Sequence, residues 1–433
     1  MNVSAFVSEL RVCSGGRRRV GVWFVLAGTF SALGSCHNDN GNFGGGYAPS
    51  TVPVPNSIAV ALINGVPDLV VATTADQGSP ANPGYVNLIP NTPGSLGKFQ
   101  QGVQYPAAGT DPASIQVADL TGSGTLDLVV AMAGSGNVSV FMHGATPGTF
   151  SPAVSVATGG LPNQVVIGDL SGASPPGQCA PRCDLVLADL SAQGNVIVLM
   201  ADPANPGHFQ TPTTLPVGRV VTSVQIGALG GSGVPDIVAA TYDDNGNNGA
   251  VYVFFHNPQS PGAYLTPVTF AAGAQPESVK IADVNGDGLP DLIVANMGPG
   301  TDGTGSAGVS VLLQDAKHPG TFLPPVTYPT AGSSIDVAVG DLDGDGKPDL
   351  VVANLEPSPT GSVSVLLQDP ANPGTFKTGT NYPGFGQPIA VVIHDLNGDG
   401  HPDIAVADGT SATVLMQIAN APGTFAQAAQ VGN

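Results

Sequence analysis

Basic residues are what this sequence most lacks: 11 Lys and Arg stand against 31 Asp and Glu in 433 residues, a formal net charge of −20. Nucleic-acid backbones are bound through clustered Lys and Arg, so nucleic acid is excluded as the expected partner. Tryptophan occurs once, at Trp23 near the N-terminus. The strongest sugar-stacking side chain is thus missing from the rest of the chain, where Tyr85, Tyr242 and Tyr252 are weaker substitutes. No ten-residue window carries an apolar stripe at helical spacing, which leaves strands as the regular structure. Neither a Gly-x-Ser-x-Gly elbow nor a His-Glu-x-x-His pair occurs, and the seven histidines are scattered, mostly in turn sequences.

Aspartate and glycine, by contrast, are organised. Residues 341–349 read DLDGDGKPD, with near-copies at 283–291 (DVNGDGLPD) and 395–403 (DLNGDGHPD). Acidic or amide side chains fall at positions 1, 3, 5 and 9, and glycine at position 6. A hard cation such as Ca²⁺ takes about six to eight oxygen ligands in flexible geometry, and a tight turn can supply them. Glycine at position 6 permits the backbone angle of that turn. The candidate ligands are Asp283, Asn285, Asp287 and Asp291 in the first loop, and Asp341, Asp343, Asp345 and Asp349 in the second. In the third they are Asp395, Asn397, Asp399 and Asp403, and the main-chain carbonyls of Leu289, Lys347 and His401 complete the three sets. About three Ca²⁺ ions are expected. Carboxylates crowded this way repel each other without metal, so calcium removal is expected to loosen this part of the chain.

The loops belong to a longer repeat. An aspartate followed by an apolar run recurs at Asp68, Asp127, Asp184, Asp236, Asp291, Asp349 and Asp403, at separations of 59, 57, 52, 55, 58 and 54. An unrelated marker, Pro-Gly followed by an aromatic, has the same period and ends at Phe99, Phe150, Phe209, Tyr264, Phe322, Phe376 and Phe425. Both markers count seven units of roughly 50 residues, the length at which repeat architectures are sought. Within a unit, 277–284 alternates in polarity, 291–295 is continuously apolar, 308–313 alternates again and 322–328 forms a fourth short strand. Four strands in each of seven units predict an all-β, seven-bladed β-propeller, in which no unit is stable alone. Residues 51–54 resemble a fourth strand, which leaves open whether they complete the last blade.

The pattern DLNGDGxPDLVVAN…GxVSVLL…PGTF resembles the FG-GAP/VCBS repeats of extracellular calcium-binding propellers, including the integrin α-subunit head. The resemblance covers about 56 to 431. It implies calcium ligands in units five, six and seven only. Unit two keeps Asp119 and Asp127 but has Thr121 and Ser123 between them, and unit three is interrupted by an insertion. Unit four has Gly227 in place of the first aspartate, and unit one has no recognisable set.

The N-terminus reads as an address. Arg17, Arg18 and Arg19 precede an apolar stretch over 20–33, too short for a comfortable membrane span and suited to a signal peptide. Leu33-Gly34-Ser35-Cys36 resembles a bacterial lipobox, which would make Cys36 the lipidated N-terminus. Ordinary cleavage near Ser35 is the alternative, and a twin-arginine signal fits the following residues poorly. The expected organisation is a signal peptide over 1–35, a Gly/Asn/Pro-rich tether over 36–55 and the propeller over 56–433. Losing 1–35 removes four basic residues and one acidic residue and leaves a formal charge of −23. Cys179 and Cys183 flank a short loop; in an oxidising compartment a local disulfide is expected, while zinc would need two further ligands.

In such a propeller the acidic loops and Pro-Gly turns share one face. The longest and most variable loops, over 73–84, 241–249 and 296–308, share the other, where ligand binding is expected. Asp243, Asp244 and Asn245 there either bind a further ion or form a solvated loop. Thr73, Met132, Asp189, Thr241, Asn296, Asn354 and Asp408 follow the second strands. They either ring the channel mouth or, the favoured reading, cap strand ends through local hydrogen bonds. The expectation is a non-catalytic, calcium-binding, exported monomer, tethered to the membrane only through lipid, that binds a protein or glycan. The alternative is an extracellular polysaccharide lyase or hydrolase, because propeller enzymes assemble their sites from several blades.

Overall fold

Each aspartate-led apolar run becomes the second strand of a four-stranded antiparallel sheet, and seven such sheets follow one another along the chain. The computed structural model describes residues 54–431 apart from 64, 75–82, 173–178, 180–182, 192, 243–248, 261, 299–306, 356–360, 410 and 427–428. The signal segment, Cys36 and Asp243, Asp244 and Asn245 lie outside the described residues. The blades occupy 54–110, 112–157, 162–216, 220–273, 276–328, 333–385 and 390–431, and the described residues contain no helix. The molecule is a seven-bladed β-propeller.

Second strands such as Asp127–Met132 and Asp291–Asn296 are buried at every residue. Both sheet faces meet neighbouring blades, so polar alternation would bury unpaired groups. Each fully buried Val or Leu contributes roughly 1.5–3 kcal/mol. First strands pack against their counterparts around the axis, whereas fourth strands such as Val154–Ala157 are the exposed outer edges. In blade five the fourth strand is Val326–Tyr328, shorter than expected, because Phe322 bridges back to Gln314 instead.

That bridge recurs in all seven blades and explains the Pro-Gly-aromatic marker. The marker aromatic is also an inter-blade contact. Tyr105 meets Phe150 edge-on at 5.4 Å between ring centres, Tyr328 meets Phe376 at 5.4 Å and Tyr382 meets Phe425 at 5.7 Å. In each pair a fourth-strand ring of one blade rests on the marker ring of the next. Edge-to-face geometry of this kind adds about 0.5–1.5 kcal/mol to the area buried.

The ring closes without strand exchange. Val54–Ala61 pairs with Asp68–Thr74 in blade one, and blade seven has its own fourth strand, Ala429–Val431. The seam is an apolar contact in which Ile58, Leu69 and Val71 pack with Ile389, Leu396 and Ala405. Around the axis, Ser57 Oγ accepts the Ile115 N–H at 3.2 Å, Ser223 Oγ that of Val279 at 3.1 Å and Asp336 Oδ2 that of Val391 at 3.1 Å. Cys179 and Cys183 form a disulfide, and Cys183 is buried in the core between blades two and three.

Candidate metal centre and channel mouth

The three acidic loops connect first to second strands and adopt one conformation. In blade six, Asp341 accepts the N–H groups of Gly344 and Gly346 at 2.8 and 2.9 Å. Asp283 and Asp395 do the same with Gly286 and Gly288 and with Gly398 and Gly400. Gly344 and Gly346 have φ of 78° and 82°, in the left-handed region, with open space where a Cβ would stand. Backbone angle, not crowding, therefore requires glycine there. Position 4 needs it as much as position 6.

This conformation brings carboxylates together. Ligand atoms of Asp341, Asp343 and Asp345 lie within 4.8 Å of one another. In blades five and seven position 3 is an amide, and Asn285 and Asn397 donate to Asp287 and Asp399 at 3.0 and 3.1 Å. The Lys347 ammonium turns to Asp345 at 3.6 Å and to the Pro370 carbonyl at 3.2 Å, so position 7 has no side-chain ligand to give. An all-oxygen, partly exposed and mutually repelling donor set fits a hard divalent cation.

Position 9 has another task. Asp349 is buried and does not join the converged trio; it accepts the N–H groups of Leu342 at 2.8 Å and Gln368 at 2.7 Å. Asp291 binds Val284 and Gln314 in the same way, and Asp403 binds Leu396 and Gln417. So do Asp127, Asp184 and Asp236, in blades that lack the full ligand set. Burial pushes the Asp291, Asp349 and Asp403 carboxyls up to about 6, against the N–H bonds that lower them.

Blade two shows the loop without its ligand set. Gly122 and Gly124 keep φ near 75° and 82°, while Asp119 accepts N–H groups from Thr121, Ser123 and Gly124. The Ser123 hydroxyl bonds to Thr125 at 2.6 Å, and Thr125 to His143 at 2.9 Å. Burial raises the Asp119 carboxyl, but the N–H bonds outweigh it and hold it below its usual value.

The residues after the second strands do not ring the channel. Asn296 donates to Ser310 at 2.9 Å and Asn354 to Ser364 at 2.8 Å, while Asp189 and Asp408 bind nearby Ser191 and Ser411. All four are buried, as local caps. Two features had no signal in the loop motifs. Glu277, on the opposite face, is hydrogen-bonded to Tyr242, and burial pushes its carboxyl up to about 8. On the acidic-loop face, Gln225, Lys280, Ile281, Val339, Asp341 and Lys347 help line a cavity of about 410 Å³ where the first strands of blades four, five and six end.

Residues 229–294, 300–352 and 341–406 match the FG-GAP-like repeat, and 276–313 match the FG-GAP repeat. Blades four to seven therefore carry FG-GAP repeats. No curated protein sequence matches it. Among solved structures, the propeller resembles a protein of Bacteroides uniformis proposed as a 6-phosphogluconolactonase, at 15% identity and a TM-score of 0.53, over 82% of this chain and 94% of that one. It also resembles the periplasmic gluconolactonase of Pseudomonas aeruginosa, at 19% identity and a TM-score of 0.50, over 75% and 84% of the two chains. At these identities the likeness is one of fold. The matched repeats lie in blades four to seven and include all three loops with a full candidate ligand set.

Proposed function

We propose that this FG-GAP propeller is an exported, calcium-stabilised binding protein with no catalytic role of its own, held to a membrane through lipid on Cys36 and recognising a protein or glycan. The observation that carries the calcium part is the convergence of Asp341, Asp343 and Asp345. Held that close, the carboxylates repel one another, and a divalent cation would remove the repulsion. Asn285 and Asn397 make the outer two sites less charged, so they bind more weakly than the site in blade six. Export is supported by the apolar stretch after Arg17–Arg19 and by the paired Cys179 and Cys183, a pairing that oxidising compartments favour.

The test is calorimetric titration of the protein without residues 1–35 with calcium at millimolar concentrations, because extracellular sites often have Kd around 10⁻⁴–10⁻³ M. The reading expects about three sites, with Asp345→Ala losing the tightest. An unchanged isotherm in that variant would overturn the assignment. A glycan array in calcium and in chelator then separates a sugar ligand from a protein one. Labelling with palmitate that persists in Cys36→Ser would remove the lipid anchor.

A further inference from the structure

We propose that the cavity at the axial mouth of the acidic-loop face binds a small organic carboxylate. At about 410 Å³ it falls within the size range of small-ligand pockets, about 300–1,000 Å³. Its position breaks the symmetry of the ring. Lys280 pairs across its own sheet with Ile293, and the residues at the same register in the other first strands are Ala59, Gln116, Val166, Gln225, Ala338 and Val392. Lys280 is thus the one cation among the seven, in a chain with a formal charge of −20.

The cation is held in place. Asp336 takes the Lys280 ammonium at 3.3 Å while its own oxygens are fixed by the Ser278 hydroxyl at 2.7 Å and the Val391 N–H at 3.1 Å. An ammonium has three donors, and this pairing leaves others for a ligand. Lys347 also lines the rim, with its ammonium held by Asp345 and the Pro370 carbonyl, and the Gln225 side chain adds a polar group from blade four. Ile281, Ala282, Val339 and Pro348 form an apolar wall suited to a carbon skeleton. Asp341 also lines the cavity and opposes multiply charged anions, which favours a single carboxylate over a phosphate. The site rests on the cavity and on Lys280 and does not require the calcium reading.

The test is calorimetric titration of the protein without residues 1–35 with galacturonate, lactate and benzoate, using galactose as the neutral counterpart of the first. Each titration is run in calcium and in chelator, while a chelator-sensitive melt reports separately on the metal sites. At least one acid should bind saturably and galactose should not. Lys280→Met should weaken that binding by about tenfold, the loss of one charge-assisted hydrogen bond, and Lys280→Arg should retain most of it. Gln225→Ala, which removes the polar group from blade four, should weaken it too and decides the matter if Lys280→Met fails to fold. Absence of saturable binding by all three acids, or affinity unchanged in folded variants at Lys280 and Gln225, would overturn the proposal.

Discussion

Gln368 of blade six donates its side-chain amide to the main-chain carbonyl of Val284, inside the acidic loop of blade five, at 2.8 Å. Gln417 repeats this on Leu342 at 2.8 Å, and Asn91 of blade one does so on Leu396 of blade seven at 2.7 Å. Each loop with a full ligand set is therefore tied to the blade that follows it. Gly374 and Gly423 of the Pro-Gly turns sit against Asn285 and Asp343, respectively, of the preceding loops, so turn and loop pack as one layer. Ordering a loop with calcium should stabilise two blades. Gln368→Ala should cost about 1–3 kcal/mol, because buried carbonyls lose their donor. It should also shrink the rise in Tm that calcium produces, measured by calorimetry with and without chelator. A calcium-induced rise as large as in the parent protein would show that the loop and the next blade are not coupled.

Blade two offers a gain-of-function test. Its loop already has the conformation of the three acidic loops, with Gly122 and Gly124 in the left-handed region and Asp119 gathering N–H groups. What it lacks is carboxylate or amide oxygen, since Thr121 and Ser123 stand at positions 3 and 5. Thr121→Asp combined with Ser123→Asp should add one calcium site to the stoichiometry found by titration. In chelator the double variant should melt below the parent protein, because the new carboxylates repel each other and Asp119. An unchanged stoichiometry would mean that the ligand set in blades five to seven depends on more than these positions.

The fold was legible because two independent markers carried it. Asp-led runs such as 291–295 are apolar on both faces for the physical reason that blades stack on both, and the Pro-Gly-aromatic marker recurs because its ring is an inter-blade contact. The loop conformation was legible from the spacing of aspartate and glycine, which brings Asp341, Asp343 and Asp345 within 4.8 Å of one another. Less legible was the structural duty of the position 9 aspartate, although Asp184 and Asp236 keep it in blades without the full set. Lys280 was hidden for another reason. Its importance depends on which first-strand residues share a register around the axis, a relationship between blades that no local pattern encodes.

Glu277 sets a pH dependence apart from the metal sites. Burial raises its carboxyl to about 8, with the Tyr242 hydroxyl bond pulling the other way, and its Oε1 has no partner. The folded protein therefore keeps a proton that the unfolded chain releases near the ordinary value of about 4.5. The resulting stability is complete below that value and is lost as pH rises through about 8. Glu277→Gln keeps the shape without the charge, so its Tm should fall less than that of the parent between about pH 6.5 and 8.5. Saturating calcium and this window, above the value near 6 of Asp291, Asp349 and Asp403, keep those groups from contributing. Parallel Tm profiles for the two proteins would show that Glu277 is ionised in the fold.

The position 9 aspartates separate architecture from metal binding. Asp236 lies in blade four, where Gly227 pairs with it as Gly340 pairs with Asp349, so the strand register puts Ala228, not Gly227, at position 1; Asp236 nevertheless accepts N–H groups from Leu229 and Gly230 at 2.8 Å and from His256 at 2.8 Å. Asp236→Ala leaves these donors without their acceptor, a loss of about 2–4 kcal/mol from unsatisfied backbone groups. That loss should be the same in calcium and in chelator, because the blade four loop has no carboxylate at positions 1, 3 and 5. Asp349→Ala removes the matching bonds in blade six and also a candidate ligand beside Asp341, Asp343 and Asp345. Its destabilisation should therefore be larger in calcium than in chelator, measured by denaturant unfolding of both variants under both conditions. Equal losses for Asp349→Ala under the two conditions would leave position 9 with its architectural role alone, and the cation would then be held by positions 1, 3, 5 and 7.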